Sequence, residues 1–359
     1  MKNYKTYKIN TSLSASSKNP SSVLMIYTGG TLGMVYDVKS KSLAPLDFER
    51  IRVNMPEIER LDFDLTILAL HQPIDSSNIK PDVWIELASI IFQNFEAYDA
   101  FVILHGTDTM AYTASALSFL LENLSKPVIL TGAQLPIGVA RTDARENLIT
   151  ALEIAASKID GRPIVPEVAI YFNSHLIRGN RAKKQESSQF DAFHSENHPL
   201  LAEVGIHINY NFPYIKSYRP DLSLNLHTEL DENVIILKLF PGISRQVVHQ
   251  MLNIDGIKGV VMETYGAGNA PTDDWFIDEL QTAINKGLII FNVSQCNGGR
   301  VMQGKYSTSS KLQQIGVISG SDITTEAAIT KMMFLFAQEQ STEKIKFRLE
   351  QSLCGEMSE

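Results

Sequence analysis

Cysteine is nearly absent from this 359-residue sequence: only Cys296 and Cys354 occur. Two thiols with no paired spacing exclude a disulfide framework and a cysteine-ligated zinc site, and they point to a reducing cytoplasm. Long apolar runs are missing as well, since none approaches the roughly 18 residues of a membrane-spanning helix. The opening stretch MKNYKTYKINTSLSASSKNPSS is polar and serine-rich. It lacks the apolar core of roughly 7–15 residues that a secretory signal requires, and residues 1–21 read as a disordered tail. A basic excess is lacking too: 32 Lys and Arg stand against 40 Asp and Glu, for a net charge of -8. Nucleic acid and anionic membranes both reward a basic surface, so neither is an expected partner, and a small molecule is.

What the sequence has is alternation. Short β-branched-rich runs at 23–27, 64–70, 100–104, 127–131 and 168–172 are apolar without a break, the pattern of parallel strands covered on both faces. Between them lie segments of helical period, one opening with Pro81 and one, 142–157, whose Thr142 or Asp143 is placed to cap it. In TMAYTASALSFLLEN, Met110, Thr113, Ala114, Leu117, Leu120 and Leu121 fall on one helical stripe. From 206 to 230 the pattern fails in an aromatic, proline-interrupted stretch that reads as a linker. It resumes with strands at 234–239, 259–263, 288–293 and 316–319 and helices at 244–253, 273–286 and 322–338. The expected fold is α/β with two domains, each a mainly parallel sheet flanked by helices: a larger catalytic one at 22–205 and a smaller one at 231–359.

In open parallel sheets, ligands bind beyond the carboxyl ends of the strands. Here those ends carry TGGT (28–31), HGTDT (105–109), TGAQ (131–134) and NSHLIRGNRAKKQ (173–185). A glycine beside a threonine is ordinary strand-to-helix turn chemistry at any one of them, but three of the four carry the pair. A P-loop is excluded by spacing and by the missing lysine, and neither G-x-G-x-x-G nor G-x-S-x-G occurs. The eight histidines are scattered, so no metal is indicated, and His105 reads as structural. What remains is a threonine hydroxyl as nucleophile. That group needs a proton acceptor nearby, with Asp108, Lys183 and Lys184 as candidates. The residues alone therefore indicate a threonine-nucleophile hydrolase acting on an acyl compound, with no cofactor.

YTGGTLGM (27–34), DSSNIKP (75–81), the run ILHGTDTMAYTASALSFLLENLSKPVILTGAQLP (103–136) and RGNRAKK (178–184) together resemble the bacterial asparaginases, above all the cytoplasmic type I branch. The likeness runs from about residue 22 onward, through YGAGNAP and GVISGSDITTEAAITK. It implies Thr31 as nucleophile, with Asp75, Ser76 and Ser77 gripping the substrate's α-carboxylate and α-amino groups. It further implies a relay of Thr107, Asp108 and Lys184, Asp108 also binding the substrate ammonium. The resemblance implies hydrolysis of L-asparagine by double displacement in a homodimer or homotetramer, with Asn269 completing a neighbouring site. Tyr36 is the sole tyrosine in the segment after TGGT that covers the site in relatives. Some members have a second, regulatory asparagine site; Glu263 stands where those carry an arginine, and Cys296 is retained and read as a small buried residue. Two other functions share the resemblance: the ammonia-generating component of a tRNA-dependent amidotransferase and a regulatory amino-acid-binding relative. The first carries an extra N-terminal domain, for which the residues ahead of the first strand are too few.

Overall fold

The computed structural model describes residues 4–9, 20–30, 32, 34–37, 42–45, 55–304 and 307–358. The chain divides into two compact units, Met1–Ser195 with Pro199–His227 and Glu196–His198 with Thr228–Glu359.

The first unit is built on a nine-stranded sheet. Its strands are β1 (Lys5–Ile9), β2 (Ser22–Gly29), β3 (Asp64–Ile74), β4 (Ala100–Leu104), β5 (Val128–Thr131), β6 (Val168–Phe172), β7 (His175–Arg178), β8 (Ala202–Val204) and β9 (Ile208–Tyr210). They lie in the order β1-β3-β2-β4-β5-β6-β7-β8-β9. The five strands from β3 to β6 run parallel, and β1 and β7 to β9 join antiparallel at the two sides. All of β4 and β6 is buried, as a sheet covered on both faces requires. Three helices pack on it: α1 (Pro81–Asn94), with its proline in the first turn, α2 (Met110–Leu120) and α3 (Ala144–Ala156). Helix α2 is buried almost all round, Ala111, Ser115 and Phe119 included. The stripe read from the sequence is thus one side of a largely internal helix, in which only Tyr112 and Ser118 are partly exposed.

Two expectations fail here for related reasons. Residues 5–9 are not a tail: they form β1, in register from Lys5 opposite Ala69 to Ile9 opposite Leu65. Only Ile9 of this edge strand is buried. A strand buried at one position and rich in exposed lysine imitates an unfolded segment, while the lysines protect the edge from further pairing. Nor is 206–230 a linker. Ile208–Tyr210 is β9, and Asn225–Leu226 pairs antiparallel with Leu121–Glu122, where the chain leaves α2. Only 228–230 group with the second unit.

The second unit holds a four-stranded parallel sheet in sequential order: β10 (Val234–Lys238), β11 (Gly259–Thr264), β12 (Ile289–Ser294) and β13 (Ile318–Ser319). Its helices are α4 (Arg245–Leu252), α5 (Asp274–Asn285), α6 (Ser307–Gln314), α7 (Thr325–Gln338) and α8 (Thr342–Glu350). Ser244, Thr324 and Ser341 cap α4, α7 and α8 through their hydroxyls. Helices α6 and α8 are too polar to show an apolar period, and nothing in the sequence pattern announces them. Leu237, Val260, Met262, Phe276, Leu280 and Ile290 centre a core of its own.

Candidate active site

The site is assembled at the carboxyl edge of the parallel strands by close packing of three turns. Gly29 and Gly30, at the end of β2, have φ of 131° and 88°, the left-handed region that glycine enters at no steric cost. A Cβ on Gly30 would stand 2.6 Å from the Gly106 nitrogen, and one on Gly106 would stand 2.5 Å from Ser76 Oγ. The glycines let TGG, DSS and HGT stack on one another. Thr28, buried, donates to the Leu104 carbonyl at 2.8 Å, tying the end of β2 to that of β4. Its hydroxyl has a structural task. Thr31 lies outside the described residues, one position beyond Gly30, and the side chain of Tyr36 lies outside them too.

Asp75 opens a short 3-10 turn, its Oδ1 accepting from Ser77 N at 3.0 Å and from Ser77 Oγ at 2.9 Å. Ser76 is buried and its carbonyl accepts from Thr109 Oγ1 at 2.8 Å, which fixes the DSS segment to HGTDT. Beyond β4, Thr107 is buried and Asp108 exposed. Lys184 comes from a two-residue strand, Lys183–Lys184, paired antiparallel with Phe193–His194. Phe193 is buried edge-on against Phe172, ring centroids 5.1 Å apart, and so anchors that arm to β6. The ammonium of Lys184 donates to Thr107 Oγ1 and to Asp108 Oδ1, each at 2.7 Å. Of the two adjacent lysines it is Lys184 that reaches both groups. Charge-assisted bonds of this length are the strong ones, and they join residues 77 positions apart into one hydroxyl–ammonium–carboxylate unit.

His105, at the base of this turn, is fully buried. Its Nδ1 lies 2.7 Å from the Gly106 carbonyl and its Nε2 2.9 Å from Thr113 Oγ1, which accepts from Trp84 Nε1 at 3.0 Å. A carbonyl only accepts, so the proton is on Nδ1 and Nε2 accepts from Thr113. Burial pushes the imidazole pKa down to about 4, against a smaller opposing effect of the Gly106 carbonyl. His105 is a neutral core residue, as read from the sequence.

Among the described residues no group of three His, Cys, Asp or Glu side chains is arranged to hold a metal ion. Residues 22–216 match the family model "Asparaginase, N-terminal", and residues 233–347 match "Glutaminase/Asparaginase C-terminal domain". The chain belongs to the asparaginase family. It is 42% identical over 339 residues to L-asparaginase 1 of Escherichia coli (strain K12), covering 94% of this chain and 98% of that one. The crystal structure of L-asparaginase I from Vibrio cholerae superposes with a TM-score of 0.85 at 38% identity, over 95% of this chain and 100% of that one. The amidotransferase relatives are more distant: a component of the Glutamyl-tRNA(Gln) amidotransferase of Pyrococcus abyssi is 32% identical over 94% of this chain and 76% of its own. These likenesses place the chain with the type I asparaginases.

Of the residues that the resemblance singled out, Asp75, Ser76, Ser77, Thr107, Asp108 and Lys184 come together in the first unit. Asn269 is carried by the second unit, in a turn closed by reciprocal backbone bonds with Tyr265, both 2.9 Å. Cys296 is exposed, against the expectation of a small buried residue: its backbone N–H follows β12 into the turn and donates to Ser294 Oγ at 3.0 Å. Glu263 accepts from Thr325 Oγ1 at 2.6 Å and pairs with Lys238 at 3.4 Å. Two residues were missed. Asp143, read as a cap for α3, instead accepts from the backbone N–H groups of Gln134 and Leu135 at 2.9 and 3.0 Å. Gln134, which those bonds fix, stands beside Thr107. The TGAQ turn was legible; the use made of its glutamine was not.

Proposed function

We propose that this asparaginase-family protein hydrolyses L-asparagine to aspartate and ammonia through an acyl-enzyme on Thr31. The observation that carries the reading is the Lys184 ammonium bound to both Thr107 Oγ1 and Asp108 Oδ1, next to the glycine turn that leads into Thr31. Thr31 Oγ attacks the side-chain amide carbon, the carbon–nitrogen bond breaks and ammonia departs. Water then cleaves the ester and frees aspartate. Thr107, held by Lys184, assists the proton transfers, for which a positioned group contributes about a hundred- to ten-thousandfold. Asp75, Ser76 and Ser77 grip the α-carboxylate and α-amino groups, and Asp108 adds a carboxylate for the ammonium. Backbone N–H groups of the glycine turns supply oxyanion donors.

The relatives named L-asparaginase support this substrate. Glutamine differs by one methylene, a discrimination of about 1–3 kcal/mol in a pocket, so both amides belong in the assay. Thr31→Ala is expected to fold, as judged by circular dichroism, and to release no ammonia from asparagine above background; full activity in that variant would overturn the reading. We further propose a homodimer or homotetramer in which Asn269 serves a neighbouring protomer's site, and a cytoplasmic location. Sedimentation and the activity of Asn269→Ala test the first. The 32% identity to the amidotransferase component favours a second reading, which requires ammonia release to rise on adding glutamyl-tRNA and a kinase-like partner.

A further inference from the structure

Among the described residues, one acceptor is hydrogen-bonded to the hydroxyl hydrogen of the relay. An ammonium has donors alone, so Thr107 Oγ1 accepts from Lys184 Nζ at 2.7 Å, and the hydroxyl's own hydrogen needs another acceptor. Gln134 Oε1 lies 3.4 Å away. The orientation of that amide is fixed by chemistry: its Nε2 donates to the Gln189 carbonyl at 2.9 Å, and because a carbonyl only accepts, the oxygen must face Thr107. The backbone of Gln134 is held in turn by Asp143, whose Oδ2 also accepts from Asn147 Nδ2 at 3.1 Å. Gln189 belongs to the segment between Lys184 and Phe193, whose two ends pair with one another. One glutamine thus touches both the hydroxyl and the arm that delivers the lysine.

We infer that Gln134 is a positioning residue that sets the polarity of Thr107. With its hydrogen held on Gln134 and one lone pair taken by Lys184, the remaining lone pair of Thr107 Oγ1 is free to accept from an attacking O–H. Without that acceptor the hydrogen is free to swing into the same space, offering a donor where an acceptor is needed. The inference rests on the proposed role of Thr107 and Lys184.

Two substitutions test it. Gln134→Met keeps length and loses both polar atoms; kcat for asparagine is expected to fall about ten- to hundredfold, within the range of a positioned proton-transfer group, with KM nearly unchanged. Gln134→Glu restores the amide's pattern only when protonated, its O–H donating to Gln189 and its C=O accepting from Thr107. Ionised, it sets two carbonyl-type oxygens against each other. Its kcat relative to wild type is therefore expected to rise several-fold from pH 8 to pH 5. Wild-type kcat in Gln134→Met, or a Gln134→Glu pH profile parallel to wild type, would overturn the inference. Thr107→Ala and Lys184→Met are measured alongside: if they retain activity, the reading of the relay itself fails, whereas if they lose it and Gln134→Met does not, only the role of Gln134 falls.

Discussion

Lys184 is the residue whose geometry asks most of its neighbours, because one Nζ meets two oxygens at 2.7 Å. Lys184→Met is expected to lower kcat at least a hundredfold while leaving the unfolding midpoint nearly unchanged, since the pair it breaks involves the exposed Asp108 and such pairs contribute little stability. Lys184→Arg should not rescue it, because a planar guanidinium cannot replace a compact ammonium between a buried hydroxyl and a carboxylate. The catalytic candidates were legible because their types are unusual together at strand ends. Gln134 was not, since a glutamine after a strand has many uses and only its contact with Thr107 selects one.

Among the elements, the least legible was the segment after α8. Residues 351–358 fold back so that Glu356 pairs at 2.8 Å with Lys331 of α7, both side chains wholly buried. Lys331 also donates to the carbonyls of Leu349 and Gln351, and Glu356 accepts from the N–H groups of Leu353 and Cys354. Burial pulls the lysine's pKa down. The same burial would raise that of the carboxyl, but Lys331 and the two N–H groups outweigh it and hold Glu356 below the usual range. The stability that the carboxylate adds is present above the unfolded carboxyl pKa and is lost as acid protonates it. Lys331→Met strands a buried charge and is expected to cost about 3–5 kcal/mol in urea denaturation, whereas Lys331→Met with Glu356→Leu should recover most of it. A sequence offers no sign that two charges so far apart are partners. The strands of unbroken apolar residues were legible, because burial on both faces leaves that mark; β1, buried at one position, left none.

For the molecule as a whole, the two units have separate cores, so a substitution in one should add to a substitution in the other without interaction. His105 in the first unit and Lys331 in the second make the pair to measure. The neutral imidazole of His105, with a pKa of about 4 against 6.5 for a free histidine, lets the unfolded chain take up a proton that the folded one refuses. Stability on this account is complete above pH 6.5 and declines as pH falls towards 4, by about 3 kcal/mol in all. His105→Gln, able to donate to Gly106 and accept from Thr113, should flatten that decline when urea midpoints at pH 7.5 and 4.5 are compared. Combined with Lys331→Met at pH 7.5, the two losses should sum to within about 0.5 kcal/mol. The division into two α/β units was legible from the alternation resuming after residue 230. The position of the break was not, because β9 and the Asn225–Leu226 pairing use aromatic and polar residues that also suit a connector.

The stacked glycines carry a consequence for how such a site can diverge. A methyl on Gly106 meets both Oγ and Cβ of Ser76, at 2.5 and 2.7 Å, which only glycine at 76 would remove. A methyl on Gly30 meets the backbone of Gly106, which no substitution removes. The first constraint is a two-key lock, open to a paired exchange although closed to a gain at 106 alone, and the second has no key. A double-mutant library over positions 30, 76 and 106 should therefore show compensation between 76 and 106 in folding yield and none involving 30, so that the DSS and HGT motifs vary as a pair while the second glycine of TGGT stays fixed.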